Sequence, residues 1–289
     1  MVFAAYSPYH LASNAYFSII EMNPLPTTAT PLHDAPKPPA ENRSVACEIC
    51  GASALFLDAV DFNKSCEERA GKYLPRTGKM VDYFLCDGCG FCFAPQFRNW
   101  TLAEFAEKIY NADYVNVDPE YVSDRPNNNA RNFHRVYGHE RGRIRHLDYG
   151  GGSGLLSKAL RDNGWDSQSY DPVVEPEKNI AELGSFNLIT AIEVFEHVPD
   201  INQLVDHLAQ LCAPEGTIVF TTVCSDGQIK RGQPLSWWYA APRNGHISLH
   251  SYQSLKLMMA KRAMTCVSKS PTIHMAFHKL PGWMDFSVG

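Results

Sequence analysis

The string Glu193-Val194-Phe195-Glu196-His197 gathers two carboxylates and an imidazole within one short run. If it turns helically, positions 193, 196 and 197 share one face. Oxygen and imidazole donors of that kind suit a hard-to-borderline divalent ion. A second constellation is His146-Leu147-Asp148-Tyr149-Gly150-Gly151-Gly152-Ser153-Gly154. Here an apolar run ends in Asp148 and passes into a turn with glycine at positions 150, 152 and 154. Glycine admits positive φ and close approach of a ligand, and the N–H groups opening a following helix attract an anionic group. A third is the pair of knuckles Cys47-Glu48-Ile49-Cys50-Gly51 and Cys86-Asp87-Gly88-Cys89-Gly90. Two Cys-x-x-Cys-Gly turns aim four thiolates inward and fit a tetrahedral zinc site, with a hairpin over 55–84 filling the gap and Cys92 a spare ligand. Cys66, Cys212, Cys224 and Cys266 read as plain core residues.

The elements that must position these residues alternate. A helix over 155–163 follows the glycine turn, and a strand from 165 ends at Asp171, roughly twenty residues past the turn, where an α/β fold places its ribose-hydroxyl acceptor. A strand over 186–192 delivers the chain to Glu193, and a helix over 201–211 follows, with Asp200 as its N-cap. A buried strand over 217–223, a helix over 253–261 and a strand over 272–278 complete the pattern. Upstream, 99–110 reads as an amphipathic helix and Asn127-Asn128-Asn129 as a turn or helix start. Strand–helix alternation at these lengths argues an α/β domain with a parallel sheet.

No Gly-Lys-Ser/Thr follows the glycines, so the turn is not a P-loop, and the spacing is not that of a dinucleotide fingerprint. Asp148-x-Gly150-x-Gly152-x-Gly154, with the segments after it in order, resembles the core of the class I S-adenosylmethionine-dependent methyltransferases over roughly half the chain. Asn187 departs from the Asp common there. The resemblance implies a Rossmann-like, seven-stranded, mostly parallel sheet with helices on both faces and an antiparallel last strand. It implies S-adenosylmethionine across Gly150, Gly152 and Gly154, its ribose on Asp171, Asp148 supporting the turn or reaching the amino-acid end, and Ile192 at the pocket.

The Glu-x-x-Glu-His string resembles the metal motif of two O-methyltransferase groups, those of the ubiquinone pathway and those acting on the 3′-terminal 2′-hydroxyl of small RNAs. In the latter a further histidine beyond the next strand completes the site. His246 is the best match and His250 the runner-up. This implies Glu193, Glu196, His197 and His246 around Mg²⁺, Mn²⁺ or a similar ion, with Glu196, His197 and His246 catalytic. Glu196-His197-Val198-Pro199-Asp200 is also common in that superfamily without any metal, Glu193 and His197 then lining the cofactor pocket or capping the next helix. A cysteine module ahead of such a core resembles sugar-modifying methyltransferases, in which the zinc is structural. Trp237-Trp238-Tyr239 reads either as a sugar-stacking wall or as a packed connection.

The organisation expected is a flexible, proline-rich segment over 1–43, with Met22 an alternative start; a four-cysteine zinc-binding module over 44–98; and a methyltransferase domain over 99–289. With 289 residues, 45% hydrophobic content and net charge −5, the chain shows no basic surface for a nucleic acid and no membrane-length apolar run. The apolar N-terminus has no basic start and does not read as a signal peptide, so the expected location is the cytoplasm. The function expected is O-methylation of a sugar hydroxyl in a small-molecule or glycan acceptor. The alternatives are C-methylation of a nucleotide-linked keto-sugar, ribose 2′-O-methylation of RNA, and a non-catalytic binding scaffold.

Overall fold

The computed structural model describes residues 43–119 and 124–284. The expected flexible segment therefore lies, but for residue 43, outside the described residues. Strands β1 (Ser44–Ala46), β2 (Ser53–Asp61), β3 (Met80–Cys86) and β4 (Cys92–Phe93) form an antiparallel meander. The two cysteine knuckles sit at its β1–β2 and β3–β4 turns, and β2 and β3 form the hairpin between them.

Helix α1 (Leu102–Lys108) begins at a capping box: the Thr101 side chain accepts from the Glu104 N–H while the Glu104 carboxylate accepts from the Thr101 N–H. The short α2 (Tyr114–Val117) follows, then α3 (Asp124–Tyr137), which holds Asn127 to Asn129 within its N-terminal half. The main sheet is built from β5 (Arg145–Tyr149), β6 (Asp166–Tyr170), β7 (Phe186–Ile192), β8 (Cys212–Thr221), β10 (Thr265–Ser268) and β11 (Ile273–Phe277). Its order is β10-β11-β8-β7-β5-β6, with β6, β5, β7 and β8 mutually parallel and β11 antiparallel to β8.

Helices cover both faces, and the pleat shows how. Leu188, Val219 and Met275 pack with Ala130 and Phe133 of α3 and with Leu156 and Leu160 of α4 (Leu155–Asp162). Ile189, Ile218 and Phe220 face the other way, toward α5 (Ile201–Leu211) and α6 (Tyr252–Ala260). A strand buried on both faces reads as a near-continuous apolar run, and Phe186 to Ile192 does.

One expectation is corrected. The sheet has six strands among the described residues, not seven. Only residues 171–185 separate β6 from β7, and they hold turns and a single 3-10 turn, Ile180–Glu182. Each parallel crossover needs a dozen or more residues. A further strand with its two connections does not fit there, so β6 forms the edge.

The expected boundary at 98/99 is also crossed by the chain. A short β9 (Ser248–Leu249) pairs Cys92 with Leu249 and Phe93 with Ser248, closing the N-terminal sheet in the order β1-β2-β3-β4-β9. Ile49, Phe84 and Phe91 share one buried cluster with Leu147, Phe195 and Leu255. Among the described residues no helix is long and apolar enough to cross a membrane.

Candidate active site

The glycine turn joins β5 to α4. Gly150, Gly152 and Gly154 all have positive φ (72°, 54° and 72°), where a side chain is strained. A Cβ on Gly150 would lie 2.6 Å from Val194 Cγ2, so this glycine is needed for packing. A Cβ on Gly152 would meet nothing within 4 Å, so this glycine faces open space. The Gly152 N–H donates to Asp171 Oδ2 at 2.9 Å, and Asp171 Oδ1 accepts from the Val173 N–H at 2.8 Å. Asp171 is thus held at the tip of β6 against the turn.

Asp148 is buried, and Oδ1 accepts from Thr190 Oγ1 at 2.8 Å. Burial pushes its carboxyl up to about 7 against the Thr190 hydrogen bond, and the Asp171 charge adds to the rise. Behind Thr190 stands His146, its Nε2 at 3.0 Å from Thr190 Oγ1 and its Nδ1 at 2.8 Å from Ser167 Oγ. Ile192 is half-buried at the carboxyl end of β7, beside the α3–α4 cluster. These residues therefore lie at the carboxyl ends of three adjacent strands, where an open α/β sheet binds its ligands.

The residues after β7 leave the sheet through a turn, not a helix. Glu193 takes φ 55°, a left-handed conformation rare for a non-glycine residue. That geometry corrects the expected common face. Glu193 N–H donates to Thr221 Oγ1 at 2.9 Å and Glu193 Oε1 accepts from the same hydroxyl at 3.1 Å, so the side chain is turned toward the end of β8.

Glu196, His197 and His246 do converge, each with a donor atom within 4.8 Å of the others'. Glu193 is not in that group. Glu196 Oε1 accepts from Tyr239 OH at 2.6 Å and lies 3.8 Å from His197 Nε2. His246 Nδ1 lies 2.9 Å from the Tyr239 carbonyl, which can only accept, so Nδ1 carries the proton and Nε2 keeps its lone pair. Glu196 Oε2 and His197 Nδ1 are buried without a partner.

Burial, with the Glu193 charge, pushes the Glu196 carboxyl up to about 8. Burial pulls His197 down to about 4 and His246 well below its usual range. The trio is thereby biased toward neutral forms. Orphaned buried donors of mixed O and N type fit a bound cation, which would hold Glu196 ionised. His250, the runner-up, is buried elsewhere: its Nε2 donates to the Phe195 carbonyl at 3.3 Å.

The cysteines of the two knuckles also converge. Cys47 and Cys89 Sγ are 3.6 Å apart, Cys50 and Cys86 Sγ 3.3 Å, and all four lie within 4.8 Å of one another. Four sulfurs about 2.3 Å from a tetrahedral Zn²⁺ would be about 3.8 Å apart. The donor set fits that ion. Cys92 lies outside the group, buried in β4.

Two other expectations change. Trp237 and Tyr239 are buried within the core that joins the β2–β3 hairpin, so the aromatic run is a packed connection; Trp238 stays half-buried under the Arg69 guanidinium, 4.5 Å from its ring. Cys66 is not a plain core thiol, since its Sγ lies 3.6 Å from His246 Nδ1. Sequence reasoning misses Tyr239 as a partner of Glu196, and the two-pronged ion pair of Arg125 with Asp118 at 2.7 and 3.0 Å. Neither carries a local motif.

A family model described as a methyltransferase domain matches residues 121–269, just over half of the 289-residue chain. The ubiquinone biosynthesis O-methyltransferase of Bordetella avium (strain 197N) is 32% identical over 101 residues, which cover 27% of this chain and 42% of that protein. Its counterpart from Escherichia coli O9:H4 (strain HS) is 27% identical over 124 residues, 35% of this chain and 49% of that protein. The chain thus spans less than half the length of these curated relatives. Among solved structures, the magnesium protoporphyrin IX methyltransferase of Synechocystis PCC 6803 superposes with a TM-score of 0.37 at 13% identity, over 64% of this chain and 98% of that one.

Proposed function

The chain belongs to the methyltransferase-domain family, and on that premise we propose that it is an O-methyltransferase for a small acceptor bearing neighbouring hydroxyls. Its class is that of the S-adenosylmethionine-dependent methyltransferases. The observation that carries the acceptor reading is the convergence of Glu196, His197 and His246 at the end of β7. Val194, three residues from His197, packs on the first glycine of the turn, so the cluster adjoins the cofactor cradle.

In this reading the open backbone at Gly152 leaves room for the cofactor, Asp171 accepts its ribose hydroxyls, Asp148 supports the turn, and Ile192 lines the pocket. S-adenosylmethionine supplies an electrophilic sulfonium methyl, and a divalent ion such as Mg²⁺ or Mn²⁺ would supply positive charge that acidifies a chelated hydroxyl. Glu196, His197 and His246 would hold that ion. That methyl would pass to the acceptor oxygen with the sulfur as leaving group, which keeps the electron pair, so the task of the chain's own residues is to hold that oxygen and take its proton. The hydroxyl proton leaves to a nearby base, and the unprotonated His246 Nε2 is placed to take it where no ion engages it. Glu193 stands beside the cluster and steadies the strand end through Thr221. The four cysteines would hold a structural zinc, closed to chemistry because no coordination position is left open.

The acceptor class proposed remains a sugar hydroxyl of a glycan, polysaccharide or nucleotide sugar, in the cytoplasm. It rests on the cysteine module and on the fit of a chelated diol, since the aromatic run proved to be packing. One observation favours the alternative of C-methylation: Tyr239 OH already occupies Glu196 Oε1, as suits a metal-free base. Methyl-labelled S-adenosylmethionine offered with nucleotide sugars, oligosaccharides, catechols and a keto-sugar separates the two. Label on oxygen, abolished by chelation and restored by Mg²⁺ or Mn²⁺, is the expected result. Label on carbon without any divalent ion overturns it.

A further inference from the structure

The segment 237–246, which carries Tyr239 and His246, is folded by short turns: the Ala240 N–H donates to the Trp237 carbonyl at 3.1 Å, the Ala241 N–H to the Tyr239 carbonyl at 2.9 Å, and a 3-10 turn spans Pro242–Asn244. Further hydrogen bonds tie it to the β2–β3 hairpin and its loop. Lys64 Nζ donates to the carbonyls of Trp237 at 2.6 Å and Ala240 at 2.7 Å. Tyr83 OH, buried in β3, donates to the His246 carbonyl at 2.6 Å. The Cys66 N–H donates to Asn244 Oδ1 at 2.8 Å, and the Arg243 N–H donates back to the Lys64 carbonyl at 3.1 Å. Lys64 is half-buried, and an ammonium drawn out of water is costly unless its donors are well used. Here two of three are spent on this one segment.

We infer that the cysteine module is a buttress of the active site, with Lys64 and Tyr83 as positioning residues for His246. The chain of contacts is short. Lys64 fixes the backbone on both sides of Tyr239; the Tyr239 carbonyl accepts from His246 Nδ1 and its hydroxyl donates to Glu196. Tyr83 holds His246 from its own carbonyl. Together they fix the imidazole as the Nδ1–H tautomer and aim Nε2 at the cluster. The inference rests on the reading of that cluster as the acceptor site.

The test uses the full chain carrying Tyr83→Phe or Lys64→Met, with three readouts: S-adenosylmethionine affinity by calorimetry, kcat of methyl transfer, and ¹⁵N-imidazole NMR with the His246 signal identified by its loss in His246→Gln. In the wild type the His246 signal should be that of a single Nδ1–H tautomer. In each variant it should become a tautomer mixture, kcat should fall about tenfold or more, as misplacement by a fraction of an ångström does, and cofactor affinity should stay within about twofold. An unchanged His246 signal in both variants overturns the inference, as does a parallel loss of cofactor affinity. Should Lys64→Met fail to fold, Tyr83→Phe, which removes one oxygen, decides alone. Should the wild type methylate no acceptor, the O-methylation reading fails while the imidazole spectra still decide this one.

Discussion

The four-thiol cluster and the Glu196–His197–His246 cluster are both gathered from distant parts of the chain, yet they differ in what their donor atoms lack. The sulfurs of Cys47, Cys50, Cys86 and Cys89 are four like donors that face one another in pairs at 3.6 and 3.3 Å. The second cluster has three unlike donors, with Glu196 Oε2 and His197 Nδ1 buried and unpaired. Four donors close a tetrahedral site; three leave a position for water or substrate. In the function proposed above, the first cluster serves architecture and the second chemistry.

The largest expected effect would break the first half of that contrast. Cys86→Ser removes one of four thiolates, and structural zinc sites contribute on the order of 10 kcal/mol to the fold they hold. The variant should lose its zinc by metal analysis and show a much lower melting temperature; a wild-type melt with zinc absent from both proteins would end the structural-zinc reading.

Next in size is Glu196→Gln, which keeps an acceptor for Tyr239 OH but removes the charge. Methyl transfer should drop about 100-fold or more, with the melting temperature and cofactor affinity almost unchanged. His246→Ala should behave alike. Equal losses of turnover and cofactor binding would show the cluster to be part of the cofactor cradle. Mild EDTA sharpens the comparison in the same protein, since activity should vanish while the zinc analysis stays at one per chain.

A smaller effect separates two glycines of one turn. Gly152→Val places a side chain in open space where the cofactor is expected to pass, and affinity should fall more than tenfold, about 1.4 kcal/mol, by calorimetry. Both substitutions strain a left-handed backbone, but Gly150→Ala should act on the melting temperature and little on the cofactor, because its Cβ collides with Val194 at 2.6 Å. The reverse assignment of effects would move the cofactor off Gly152. An effect confined to stability is expected for Thr190→Val, which takes a partner from both Asp148 (2.8 Å) and His146 Nε2 (3.0 Å) and should reduce stability by about 2 kcal/mol in denaturant unfolding.

What could be read before folding was whatever the chain keeps local. Asp148, the glycines and Asp171 sit on one strand–turn–helix–strand unit, so residue spacing alone brings them together. Each cysteine knuckle is likewise a local turn. The strand–helix alternation followed from hydrophobic runs whose period is set by backbone geometry. His246 was reached through resemblance to a motif, not through spacing.

The sequence by itself therefore determined the α/β class, the glycine cradle and the two thiol pairs, because their geometry depends on neighbours in the chain. Tertiary structure alone decided that Glu193, at a left-handed φ, bonds Thr221 and stays outside the Glu196–His197–His246 trio. It alone decided that Trp237 and Tyr239 are core, that Arg125 meets Asp118, and that Lys64, Cys66 and Tyr83 reach the segment bearing His246. Those contacts join residues more than 160 positions apart in the case of Lys64, Cys66 and Tyr83. No periodicity encodes such a distance; only the closing of one sheet by β9 and the packing of the hairpin on the 237–246 segment bring them into touch.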